Sequence, residues 1–251
     1  MRLQDKIAII TGAGSGLGAY TAKAFAEQGA SVVIADINKE AGLQTEQEIL
    51  ANDGKAVFIP LDVTSETSWA SLVEQTITTF GKLDVLVNSA GIVISKPIED
   101  SSLEDLKKSF ALNVEGPFLG IKAVAPAMRQ NGGGSIVTIA SMSGILGLSR
   151  AAPYSTSKGA VRLLCKSAAM DFAKKGDNIR VNIVNPSYVR TPMLESVYSD
   201  EQIKSLESFV PLGRLGSLDD VANAIIYLAS DESSFVTGFD LNLDGGFTAG
   251  N

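Results

Sequence analysis

The segment from Ser141 to Lys158, SMSGILGLSRAAPYSTSK, carries a serine, a tyrosine and a lysine whose spacing allows them to share one proton. A helix beginning at Ala152 sets Tyr154 and Lys158 four residues apart, on one face and one turn from each other. The lysine charge then favours the phenolate, drawing the tyrosine from a reference pKa of about 10 toward neutrality. Such a phenol takes or gives a proton near physiological pH. Ser141, arriving from a strand end, can hydrogen-bond the same oxygen. Taken alone, the pair also fits an amphipathic helix with a half-buried tyrosine and an exposed lysine.

Composition narrows the chemistry. The 251 residues include no histidine, which excludes Ser-His-Asp and Cys-His machinery and the commonest catalytic zinc sites. Acid–base work falls to Tyr, Lys, Asp or Glu, and no metal ligand set is assigned. The single cysteine, Cys165, lies in a helical apolar pattern, reads as a buried thiol and fits a reducing cytoplasm. A net charge of −7 argues against nucleic acid or an anionic membrane surface as the main partner. No apolar run approaches the roughly 18 residues of a membrane span, and MRLQDKIAIITG has no signal-peptide pattern.

Short apolar runs alternate with helical segments throughout. Strands are expected at Lys6–Ile10, Ser31–Ala35, Ala56–Pro60, Asp84–Asn88, Ser135–Ala140, Arg180–Val184 and Asp240–Leu243. Several are continuously apolar, as strands covered on both faces are. Helices are expected at Gly16–Gln28, Lys39–Asn52, Glu66–Phe80 and Ala152–Lys174, among others. This pattern predicts an α/β fold: one Rossmann-type domain over residues 1–251, a doubly wound parallel sheet of about seven strands with helices on both faces. Residues 187–215, with Pro192 and Pro211, follow a strand end and fit a substrate lid; a surface excursion or subunit contact fits equally.

Thr11-Gly12-Ala13-Gly14-Ser15-Gly16-Leu17-Gly18 follows the first strand and opens a helix, a turn that admits a pyrophosphate against backbone N–H groups. Asp36 ends the second strand, where an acid accepts both adenosine ribose hydroxyls and repels a 2′-phosphate. Neither Ser15 nor Ile37 is basic, and Lys39 lies two positions further on, so the expected cofactor is NAD. The alternative is that Asp36 caps the next helix. Asp62-Val63 either borders an adenine edge or starts a helix.

Together, Thr11-Gly12-x-x-x-Gly16-x-Gly18, Asp36, Asp62-Val63, Asn88-Ser89-Ala90-Gly91, Asn113, Ser141, Tyr154-x-x-x-Lys158, Asn185-Pro186, Thr191 and Asp244-Gly245-Gly246 resemble the short-chain dehydrogenase/reductase family over nearly the whole chain. The resemblance implies a nicotinamide cofactor and oxidoreduction of an alcohol/carbonyl pair. It makes Tyr154 the proton donor and acceptor and gives Ser141 the substrate oxygen. Lys158 would hold the nicotinamide ribose and depress the tyrosine pKa, and Asn113 would anchor a water. Cofactor contacts are expected from Gly12, Ser15, Gly16, Leu17, Gly18, Asp36, Ile37, Asp62, Val63, Asn88, Ala90, Gly91, Tyr154, Lys158, Pro186, Val189 and Thr191. Two positions depart from the family pattern: Ser89 replaces an Asn and Ser187 a Gly.

Within the family, the segment from Ser157 to Leu194 is most similar to bacterial secondary-alcohol dehydrogenases, with hydroxysteroid and cyclic-alcohol dehydrogenases close behind. Substrate would meet Ser141, Ser143, Ile145, Leu146, Tyr154, Tyr188, Met193 and Tyr198, a mainly apolar set suited to a neutral hydrophobic alcohol or ketone. The alternative is a 3-oxoacyl-carrier-protein reductase, and more remotely a non-catalytic dinucleotide-sensing protein. Relatives are usually homotetramers, and Val161, Leu164, Cys165, Ala168, Ala169 and Phe172 offer either an assembly face or ordinary core. Some relatives hold a structural magnesium near the C-terminus.

Overall fold

β1 (Ile7–Thr11, IAIIT) is buried at every position, and its side chains alternate between two apolar layers. Ile9 joins one layer and Ala8 and Ile10 the other, the period of two that a strand covered on both faces requires. The same alternation runs through β2 (Ser31–Asp36), β4 (Val85–Asn88) and β6 (Ile179–Pro186). With β3 (Lys55–Pro60), β5 (Gly134–Ile139) and β7 (Asp240–Leu243) they form one parallel sheet in the order β3-β2-β1-β4-β5-β6-β7. The computed structural model describes residues 1–191, 194 and 199–250.

One layer packs under α3 (Glu66–Phe80), α5 (Gly116–Gln130) and α6 (Ala152–Lys175), through Trp69, Leu72, Val124, Met128, Val161, Cys165 and Phe172. The other packs under α1 (Gly16–Glu27), α2 (Lys39–Leu50) and α8 (Leu218–Ala229), through Ala22, Phe25, Ile49, Ile225 and Ile226. Each large buried side chain contributes roughly 1.5–3 kcal/mol. Helix starts are written locally. Asn38 accepts from Ala41 N and Ser65 from Ser68 N, while α4 (Leu103–Phe110), α7 (Asp200–Ser208) and α8 begin with reciprocal capping boxes at Ser102/Asp105, Ser199/Gln202 and Ser217/Asp220.

The expected strands all form, β7 with the expected ends and the others with shifted ones. β6 runs two residues beyond Val184 because Asn185 and Pro186 pair with Asn242 and Leu243. α2 stops at Leu50 rather than Asn52, where a turn leads to Asp53 at φ 58°. On α6, Val161, Cys165, Ala169 and Phe172 are interior, with half-buried Leu164 and Ala168 packed on them, so these residues serve the chain's own core. The exposed large apolar residues of α6 are Leu163 and Met170, seven positions apart.

The described residues after β6 are tied at their base by an isolated bridge outside the sheet. Val189 bridges Gly216, Gly216 N donates to Tyr188 O at 3.0 Å, and Arg190 N donates to Gly216 O at 2.8 Å. Ile203, Val210 and Leu215 give this excursion a small core of its own, against which Tyr188, Leu194 and Leu206 pack.

Candidate active site

The strand order reverses between β1 and β4, which opens a crevice at their carboxyl ends. Thr11 holds its two sides together: its hydroxyl accepts from Ser89 N at 3.0 Å and Ala90 N at 3.1 Å. Gly12 crosses here with φ 65°, and a Cβ on it would stand 2.8 Å from Ala90 Cα, so only glycine fits. The result is a groove of about 400 Å³ lined by Gly12, Ser15, Gly16, Leu17, Gly18, Asp36, Ile37, Asp62, Val63, Ala90 and Gly91, all expected there. Ala35, Leu61, Ser89, Ile92 and Leu112 complete it. None of these five was among the expected cofactor contacts, though Ser89 belongs to the Asn88–Gly91 motif.

Asp36 does not cap α2; Asn38 does. Instead its Oδ2 accepts from Gly14 N and its Oδ1 from Asn38 N, both at 2.8 Å. The carboxylate is thereby fixed at the groove, with lone pairs left to accept further hydrogen bonds. Asp62 Oδ1 accepts from the N–H and hydroxyl of Thr64, ahead of the Ser65 cap of α3, and Asp62 lines the groove. Asn88 is different. Its side chain is buried and donates to Thr138 Oγ1 at 3.2 Å, tying β4 to β5, and it is not among the groove-lining residues.

The groove fits a dinucleotide. Unlike α2 and α3, α1 begins with neither a side-chain cap nor an acidic residue in its first turn. Its unpaired N–H groups therefore face a groove where anionic phosphates are favourable.

Gly91 connects groove and chemistry, lying against both Asn113 Oδ1 and Lys158 Nζ. Asn113 sits in a π-turn (Ala111–Glu115) ahead of α5 and is buried. It accepts from Ile92 N at 2.9 Å and donates to Ile92 O at 3.0 Å and Ser157 Oγ at 2.9 Å. Both amide hydrogens are thus committed to clamping the Gly91–Ile92 loop onto α6. Lys158 Nζ donates to Ile139 O at 2.7 Å and stands 5.8 Å from the Tyr154 ring centroid, so the expected shared helix face is present.

The electrostatics differ from the sequence expectation. Burial raises the Tyr154 pKa above its ordinary 10, opposed by the Ser141 and Ser143 hydroxyls, which favour the anion. The same burial drives Lys158 itself down to about 8. The Ser143 hydroxyl is near the phenol but outside hydrogen-bonding geometry, and it is a buried oxygen without a partner. Ile145 and Leu146 are half-buried and belong to none of the apolar clusters. Tyr188 packs on the small core of residues 187–215. Pro186 ends β6, and Thr191 Oγ1 accepts from Leu194 N at 3.1 Å. Met193 and Tyr198 lie outside the described residues, as does Asn251. Cys165 is interior, with burial pushing its thiol up to about 11, and is unsuited to nucleophilic work.

Lys158 gives a stability prediction. Its folded pKa is about 8, depressed from 10.5. Below pH 8 the buried charge weighs against folding. Between these values only the unfolded chain holds the proton, so stability rises with pH through that window. The displacement is equivalent to roughly 3 kcal/mol, offset by about 1 for the Ile139 hydrogen bond. Lys158→Met is therefore expected to be about 2 kcal/mol more stable at neutral pH, with the difference shrinking toward pH 10.5. Urea denaturation across that range checks this; a destabilised variant at neutral pH contradicts it.

A second cavity, about 220 Å³, lies at the amino ends of the strands, lined by Lys6, Asp84, Arg180 and Asp231 among others. Arg180 is spent on the carbonyls of Leu228 and Ser230, and Lys6 on Asp231. Its charges are internally paired and stand at the wrong end of the sheet for ligand chemistry. Among the described residues no three His, Cys, Asp or Glu cluster as metal ligands, and no helix is long and apolar enough to cross a membrane.

Residues 12–248 match the family model described as "Enoyl-(Acyl carrier protein) reductase". The chain is 43% identical, over 99% of its length and 98% of the relative's, to a 2,5-dichloro-2,5-cyclohexadiene-1,4-diol dehydrogenase of Sphingobium indicum. It is 38% identical, over 99% and 98%, to the NADP-dependent (R)-specific alcohol dehydrogenase of Lentilactobacillus kefiri. A solved 7α-hydroxysteroid dehydrogenase, in complex with NADH and 7-oxoglycochenodeoxycholic acid, superposes with a TM-score of 0.92 at 40% identity, covering 98% of this chain and 95% of that one. With the seven-stranded parallel sheet, the glycine-turn groove and the Ser141–Tyr154–Lys158 cluster, these matches place the chain in the short-chain dehydrogenase/reductase family.

Proposed function

We propose that the protein interconverts a neutral, hydrophobic secondary alcohol, a cyclic one above all, and its ketone, using NAD(H). The observation that carries this reading is the cluster of half-buried Ser141 and Tyr154 with buried Lys158, reached through Gly91 from a groove that also holds a fixed Asp36. The Gly12–Gly18 turn would receive the pyrophosphate, Asp36 the adenosine ribose, and Lys158 the nicotinamide ribose. When bound, nicotinamide supplies the hydride acceptor for alcohol oxidation and the donor for ketone reduction.

The chain's own residues then handle the proton. The Ser141 hydroxyl holds the substrate oxygen beside the Tyr154 phenol. In reduction the phenol, protonated at neutral pH and held so more firmly by burial, gives its proton to that oxygen. In oxidation the phenolate receives it. Asn113 keeps the Gly91–Ile92 loop seated on α6, and so fixes the wall between groove and lysine. Pro186, Val189 and Thr191 would border the cofactor from β6 onward, and residues 187–215 would close over substrate.

Ile145, Leu146 and Tyr188 would give the substrate an uncharged lining, and a relative named for a cyclic diol supports that reading. Exposed Leu163 and Met170 on α6 and Phe118 on α5 supply an apolar face for a homotetramer, and free Cys165 suits the cytoplasm. Initial rates across cyclic, aliphatic and steroid alcohols, carboxylated alcohols and a 3-oxoacyl thioester test the reading. Neutral cyclic alcohols should give the highest kcat/KM with NAD⁺. Preference for the thioester with NADPH would instead make the protein an acyl-chain reductase.

A further inference from the structure

The turn that carries Ser141 and Ser143 is held from outside by one charged side chain. Met142–Gly144 forms a short 3₁₀ turn whose own hydrogen bonds are local: Gly144 N to Ser141 O, Ile145 N and Leu146 N to Met142 O. It lies directly on α6, for a Cβ on Gly144 would stand 2.6 Å from the Lys158 carbonyl carbon. Arg162, one helical turn beyond Lys158, donates from Nη1 to Gly144 O at 2.5 Å. Its other edge grips Asp240 bidentately, Nε to Oδ1 at 3.2 Å and Nη2 to Oδ2 at 2.5 Å.

Asp240 is itself held in place. Lys166 Nζ lies 2.9 Å from Oδ2, and Asn185 Nδ2 donates to Oδ1 at 2.5 Å and to Asn242 Oδ1 at 3.0 Å. The carboxylate thus joins α6, β6 and β7 just before Pro186. Burial alone would raise its pKa, but the donors from Arg162, Asn185 and Lys166 outweigh that and leave it at about 2, charged at any working pH. A guanidinium is suited to this task because its planar fork serves a carboxylate with one edge and a carbonyl with another.

We propose that Arg162 is a positioning residue: braced by Asp240, it fixes the Ser141–Gly144 turn, and with it the two hydroxyls that face the Tyr154 oxygen. The orphaned Ser143 hydroxyl, buried and without a partner, is one that must be held in place to be of use to a substrate oxygen. The role in turnover rests on the alcohol dehydrogenase reading above; the role in holding the turn does not.

Three variants separate the two. Arg162→Lys keeps an ion pair with Asp240, but one ammonium cannot also serve the Gly144 carbonyl; Arg162→Ala leaves a space for added guanidinium ion; Asp240→Asn removes the brace's charge. In Arg162→Lys, hydrogen exchange should quicken at the amides of Ser143–Leu146 and stay unchanged at Gly14–Gly18. NADH affinity should stay within about twofold, while kcat on a cyclic alcohol falls on the order of tenfold to a hundredfold. Millimolar guanidinium, but not methylammonium, should restore part of the Arg162→Ala rate, and Asp240→Asn should reproduce the exchange change. Unchanged exchange in the turn of Arg162→Lys overturns the proposal. So does loss of NADH binding in step with turnover, which would mark a general collapse. Faster exchange in the turn, in a protein whose wild type oxidises no alcohol, supports the positioning role and counts against the alcohol reading instead.

Discussion

Replacing Tyr154 with phenylalanine is expected to lower alcohol turnover about 10³-fold while leaving NADH affinity within a factor of two. The phenol oxygen is the group whose proton is exchanged with substrate in the proposed mechanism, and positioned acid–base groups contribute roughly 10²–10⁴-fold. Packing should survive, since phenylalanine fills the same space and Lys158 keeps its hydrogen bond to Ile139 O. The pH dependence sharpens the test. Burial holds the phenol above its ordinary pKa of 10, so wild-type oxidation should rise with pH from neutrality upward, while reduction should stay level until the pH passes that value. The residual rate of Tyr154→Phe should lack that dependence. Steady-state rates in both directions, with NADH binding by fluorescence, decide it; a variant with unimpaired turnover removes Tyr154 from the mechanism.

The second large effect concerns Asp36. Its carboxylate is pinned by Gly14 N and Asn38 N, so it cannot swing away from a phosphate on the adenosine ribose. Two charges at about 4 Å and an effective dielectric constant near 20 repel by roughly 4 kcal/mol. Hydrogen bonds from ribose hydroxyls to a charged acceptor contribute about 1.5–3 kcal/mol. Asp36→Ser combined with Ile37→Arg is therefore expected to move the NAD⁺/NADP⁺ ratio of kcat/KM about 100- to 1,000-fold toward NADP⁺, and Asp36→Asn part of the way. An unchanged ratio would mean that Asp36 does not meet the ribose. The relative from Lentilactobacillus kefiri named as NADP-dependent makes this position worth testing directly.

What could be read from the sequence was local. The unbroken apolar runs IAII and VVIA announced a doubly covered sheet, because a strand covered on both faces is apolar at every position. The glycine turn was legible since backbone curvature and close approach demand glycine within a few residues. Tyr154 and Lys158 were legible because four residues on a helix are one turn. What escaped notice depends on distant parts of the chain. The bond between Arg162 and Asp240 spans 78 positions, and nothing near either residue announces it. The direction of the Tyr154 pKa shift depends on how deeply the phenol is enclosed, which a motif does not encode. The inward turn of Asn88 toward Thr138 and the double clamp of Asn113 on Ile92 required the folded sheet to be seen. The helical face from Val161 to Phe172 illustrates the same limit: apolar spacing identifies a buried face but not whether sheet or subunit buries it.

The most direct test of the account is the initial rate of NAD⁺ reduction with a simple cyclic secondary alcohol, followed by absorbance of the reduced nicotinamide, with the product identified. The account predicts steady NADH formation, one ketone per NADH, and a much lower rate with NADP⁺. No NADH formation with any neutral secondary alcohol, alongside NADPH consumption on a 3-oxoacyl thioester, would contradict both the substrate class and the role given to Asp36.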